Sequence, residues 1–127
     1  MFTADQLVAH AVGDYLLQSD WMATQKVRRW LPAAVHAALY GLPFLWLGPS
    51  PAALAVIVGT HLVIDRFRLA KWVLAATNAL GSPAIAHPRR AGRGYADELP
   101  PWLLGLVLLA VDNTLHVLIN GAALRWL

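Results

Sequence analysis

Three pairs of ionisable residues stand four positions apart in apolar surroundings: His10 with Asp14, His61 with Asp65, and Asp112 with His116 in the reverse order. A spacing of four sets both members of a pair on one helix face, one turn apart. Gln18 prolongs the first face, Asn120 prolongs the third, and a further histidine, His36, is followed one turn later by Tyr40. Imidazole and carboxylate suit zinc, iron or manganese, and helix-borne ligands at these spacings recur in the metal sites of helix bundles. The predicted ligand set for one or two divalent metals is therefore His10, Asp14, His36, His61, Asp65, Asp112 and His116, with Asp14, Asp65 and Asp112 as candidate catalytic carboxylates. The plainer reading makes the pairs hydrogen-bonded glue between helices, each contributing about 0.6–2 kcal/mol in lipid. That suffices for any single pair. Seven ionisable residues spread over so small an apolar chain favour a functional site.

The elements that carry these residues are apolar helices. Of 127 residues, 58% are hydrophobic and 13% charged, against about 25% charged in an ordinary soluble domain. The expectation is an all-α integral membrane bundle of about four helices, forming one domain over 1–127. Segment one runs from about Ala4 to Gln18, segment two from Trp30 to Leu47, segment three from Ala52 to Ile64 with an extension to Ala76, and segment four from Pro101 to Leu127. Segments two and four are long enough to span; segments one and three are short. Asp5, His10 and Asp14 interrupt the first apolar stretch, which predicts that it belongs to the mature structure and is not a cleaved leader. Pro43 should bend the end of segment two. Gly48-Pro49-Ser50-Pro51 should turn the chain into an antiparallel helical hairpin.

Cysteine is absent, which excludes disulfides, thiolate metal sites and a cysteine nucleophile. The formal charge of +3 does not call for nucleic acid, because membrane topology accounts for where the basic residues sit. Lys26, Arg28 and Arg29 lie in one loop, and Arg66, Arg68, Lys71, Arg89, Arg90 and Arg93 in another. Both loops are expected on the cytoplasmic side of the cell's inner membrane, with Ser50 outside. Trp21, Trp30, Trp46, Trp72, Trp102 and Trp126 fall near segment ends, as expected of rings anchored at the headgroups. The stretch from about 77 to 100, rich in Pro, Gly and Arg, reads as a basic cytoplasmic loop that contacts anionic lipid, with His87 in it simply solvated. His10-x-Val-x-Asp14 precedes Trp21 at the same distance as His61-x-Val-x-Asp65 precedes Trp72. This pattern suggests two parallel helix-pair repeats.

The string His10-Ala-Val-Gly-Asp14-Tyr15-Leu16-Leu17-Gln18-Ser19-Asp20-Trp21-Met22, with Lys26 after it, then His36-Ala-Ala-Leu-Tyr40, His61-x3-Asp65 and Asp112-Asn113-x2-His116, resembles small bacterial and phage membrane proteins grouped as domain-of-unknown-function family 3307. The resemblance extends over nearly the whole chain, with Asn113 standing where the family pattern has Gln. It implies a multi-pass membrane protein and marks positions, without bringing an activity.

Three functions are compatible with these residues. In a membrane-embedded hydrolase, imidazoles hold a divalent metal, a bound water is activated and an aspartate acts as base on an amphiphilic substrate. In a transporter or proton-coupled channel the same residues line a polar path, and so few helices then call for a homo-oligomer. In a scaffold, the basic loops recruit lipid or a partner while the cluster only sets the fold.

Overall fold

The computed structural model describes residues 3–81 and 100–127. Among these residues the chain is all-helical: α1 (Ala4–Ala11), α2 (Asp20–Gln25), α3 (Trp30–Gly41), α4 (Pro51–Phe67), α5 (Leu69–Gly81) and α6 (Pro101–Trp126), with a π-helical turn at Val12–Leu16 and a 3-10 turn at Pro43–Leu47. Six α-helices thus replace the expected four segments: α2 forms between segments one and two, and segment three divides at Arg68 into α4 and α5. Arg68 takes the left-handed conformation at the end of α4 (φ 52°). Helix α5 continues through Thr77 to Gly81, so residues 77–81 are helical where a loop was expected; the rest of that stretch up to Leu99, with His87, Arg89, Arg90 and Arg93, lies outside the described residues.

Local chemistry sets the boundaries. Thr3, Ser19 and Ser50 cap α1, α2 and α4, each accepting through its side-chain oxygen from a backbone N–H three residues on. Helix α3 stops at Gly41, and Pro43 opens the 3-10 turn. Gly48, at φ 63°, reverses the chain, and Pro51 starts α4 at a position where its missing N–H is no loss. Helices α3 and α4 form the expected antiparallel hairpin: Gly41 faces Leu54 and Val58, while His36 faces His61 and Asp65.

The interior is layered along the hairpin. At the Gly48 end lies an apolar core of Ala9, Phe44, Ala53, Ile57 and Ala123 around Tyr40. Next come the histidines, then the aspartates, then Lys26 and the two basic connections. These connections meet. The Arg66 guanidinium donates to the carbonyls of Val27 and Arg28 and lies 5.0 Å from the centre of the Trp30 ring.

Two helical stretches, Trp30–Leu47 and Pro101–Trp126, are long and apolar enough to cross a membrane; α4, with 17 residues, reaches about 25 Å. All six tryptophans are exposed, from Trp21 at 44% to Trp46 at 87%. None is a core residue. Helix α6 buries His116, Asn120, Gly121 and Ala123 in its second half, whereas Trp102, Leu106 and Leu109 are exposed in its first half.

Candidate metal centre

The local backbone decides which side chains converge. In α4, His61 and Asp65 obey the helical spacing, and His61 Nε2 lies 3.3 Å from Asp65 Oδ2. In α6, His116 Nε2 lies 3.4 Å from Asp112 Oδ2. The first pair does not behave this way. The π turn inserts an extra residue per turn after Ala11 and rotates Asp14 off the His10 face, toward α3. Gly13 makes the approach possible, since a Cβ there would stand 2.8 Å from the Tyr40 carbonyl oxygen. Asp14 Oδ1 consequently sits 3.3 Å from His36 Nε2 and 3.9 Å from His61 Nε2.

His36 Nε2 is the crowded point. Around it are Asp14 Oδ1 at 3.3 Å, Asp65 Oδ2 at 3.1 Å, His61 Nε2 at 3.0 Å and Lys26 Nζ at 3.2 Å. One imidazole nitrogen either donates or accepts a single hydrogen bond, so four polar neighbours exceed what hydrogen bonding uses. The spacing is that of ligands around an ion. Donors about 2.0–2.1 Å from a tetrahedral metal lie about 3.3–3.4 Å from one another. Among Asp14 Oδ1, His36 Nε2, His61 Nε2 and Asp65 Oδ2, five separations run from 3.0 to 3.9 Å. All four residues are buried, and their ligand atoms form one metal-sized group. Asp14, Asp112 and His116 form a second such group, so Asp14 belongs to both.

His10 is in neither group. Although it is a predicted ligand, its ring nitrogens are taken by the Tyr40 hydroxyl at 2.9 Å and by Asn113 Oδ1 at 3.1 Å. Gln18 likewise leaves the face assigned to it and accepts from Lys26 at 2.6 Å. Asn120 stays on its face and donates to the Tyr40 hydroxyl at 2.6 Å. Tyr40 forms the floor of the site, its ring stacked 3.6 Å from that of His61 at an interplanar angle of 7°. The other face of the site is open. A pocket of about 410 Å³ reaches Asp65 and Asp112 from the basic end, between Lys26, Arg68 and Lys71 on one side and Gly105, Leu108 and Leu109 on the other.

Lys26 is the participant that spacing alone did not show. Its ammonium lies 2.5 Å from Asp65 Oδ2, held there by α2. The signal was a charge imbalance: Asp14, Asp65 and Asp112 occupy apolar segments without a cation among them, so a neighbouring loop had to supply one. Gln6 was missed as well. It is fully buried on α1, and its Nε2 donates to the Val117 carbonyl at 2.6 Å, tying α1 to α6.

Comparison with known proteins adds a family and nothing beyond it. No curated protein matches the chain, and no solved structure does. The family's sequence profile matches residues 2–85, a shorter reach than the motif string suggested, which leaves α6 with Asp112, Asn113 and His116 outside the match. By that match the chain belongs to the family described as "Protein of unknown function (DUF3307)".

Proposed function

We propose that the chain is a multi-pass inner-membrane protein of one domain whose interior holds a divalent metal of the zinc, iron or manganese class, and that it works as a metal-dependent hydrolase. The observation that carries the metal reading is the ligand-like spacing of Asp14, His36, His61 and Asp65. The two nitrogens and two oxygens suit those ions. Two carboxylates with one nearby ammonium also leave a negative charge that apolar surroundings penalise. The membrane reading is supported by Trp30–Leu47 and Pro101–Trp126, by exposed tryptophans at element ends and by basic connections gathered at one end. The element order α1–α2–α3 then α4–α5–α6 supports a parallel repeat: in each half the aspartate meets the histidine of the third helix, Asp14 with His36 and Asp65 with His116.

In this reading Asp14 and Asp65 hold the ion with His36 and His61. Asp112, half-buried at the pocket edge and oriented by His116, is the base. The ion would lower the pKa of a bound water toward neutrality. Asp14 offers a bridge to a second ion at Asp112 and His116.

Metal analysis of the protein purified in detergent without chelators tests this. At least one equivalent is expected; His61→Ala should lose it, whereas His10→Ala should keep it because His10 lies in neither ligand group. Less than one equivalent leaves hydrogen-bonded glue as the account.

A second reading is favoured by one observation. Polar groups at hydrogen-bond distance form one chain from Lys26 through His36, His61 and His116, and a second from Tyr40 through His10 to Asn113 and the exposed Tyr15. Such a chain suits a proton path in a homo-oligomer. Proton flux into liposomes without metal would favour it over the hydrolase.

A further inference from the structure

We propose that the pocket at the basic end binds the phosphate-bearing head of an anionic membrane lipid, with Arg68 and Lys71 holding the phosphate and α6 receiving the acyl chain. The pocket walls differ in chemistry. Lys26, Arg68 and Lys71 stand on one side, while Gly105, Leu108 and Leu109 of α6 form the other. The cations are not equally committed. Lys26 is paired with Asp65, and Arg66, outside the pocket, is used on two carbonyls and the Trp30 ring. Arg68 and Lys71 have no carboxylate within ion-pair distance among the described residues; Lys71 Nζ lies 5.0 Å from the centre of the Trp72 ring.

Arg68 has a second peculiarity. It ends α4 at φ 52° and ψ 52°, the left-handed cap position where glycine or asparagine is the unstrained choice. An arginine kept there at a conformational cost, lining the pocket with no ion-pair partner among the described residues, points to an anionic ligand. The apolar wall selects a lipid over a free anion. The first half of α6 buries none of its side chains fully, and Leu106 and Leu109 are exposed. The pocket therefore continues onto a surface that suits acyl chains, at the end of the molecule where the basic connections meet.

As the substrate site of the hydrolase, this proposal rests on the metal reading, because an ion held there would neutralise the Asp65 carboxylate at the inner end of the pocket. As a binding site it rests on Arg68 and Lys71, and the two can fail separately. The test titrates the purified protein in non-ionic detergent with short-chain phosphatidic acid, short-chain phosphatidylcholine and inorganic phosphate. Intrinsic tryptophan fluorescence and native mass spectrometry give the binding, and metal is measured on each sample. Phosphatidic acid should bind at least tenfold more tightly than either comparison ligand. Arg68→Gly with Lys71→Gln should remove that preference while keeping metal content; Arg68→Gly relieves the cap conformation, so the melting temperature should hold. Equal binding of phosphatidylcholine, equal binding of inorganic phosphate, or an unaltered preference in the double variant overturns the lipid site. Missing metal with the preference intact overturns the metal reading alone.

Discussion

Lys26 reaches 2.5 Å from Asp65 from outside the apolar helices, and it competes for the role given to the ion. One ammonium cannot neutralise Asp14 and Asp65 together, whereas a divalent ion can. Lys26→Met should therefore destabilise the metal-free protein by about 3 kcal/mol, the lower end for breaking a buried pair, and the ion-loaded protein by much less. Melting curves with and without chelator check this; an equal loss in both states would mean that the ion and the ammonium do not substitute for one another. At this scale the sequence was informative where the backbone stayed α-helical. The spacing of four placed His61 by Asp65 and Asp112 by His116. It did not place Asp14, because no periodicity announces the π turn that turns Asp14 away from the buried His10 toward His36.

Gly13 carries that turn. Its Cα faces the Tyr40 backbone, and a Cβ would stand 2.8 Å from the Tyr40 carbonyl oxygen, which no rotamer change relieves. Gly13→Ala should cost about 1–3 kcal/mol as an overpacking change and should lower metal content by shifting Asp14. Gly59 is the control: a Cβ there meets nothing within 4 Å, and Gly59→Ala in α4 should be neutral or stabilising by up to about 1 kcal/mol. Thermal denaturation of both variants, with metal analysis of each, distinguishes a close approach from a general intolerance of change. Proline and glycine made the α3–α4 hairpin readable in advance. The break between α4 and α5 was not readable, because Arg68 occupies a position that glycine usually marks.

For the molecule as a whole, the basic connections meet through Arg66 and so share one side. With that side cytoplasmic, Ser50→Cys should be labelled by an impermeant thiol reagent from outside intact cells, and a cysteine at Arg28 only after the cells are opened; the reverse pattern inverts the topology. The two stretches long and apolar enough to cross a membrane were legible from length and apolar content, whereas the partners of α1 and α2 were not, since their contacts are tertiary. The contribution of α6 has a temporal side. His61 and Asp65 sit in α4, but the His116 and Asn120 that close the cluster arrive only with the last helix. During synthesis the nascent chain must hold its unclosed polar groups until that helix packs. Until then Asp65 has Lys26, His36 and His61 but lacks His116, and the Tyr40 hydroxyl lacks Asn120.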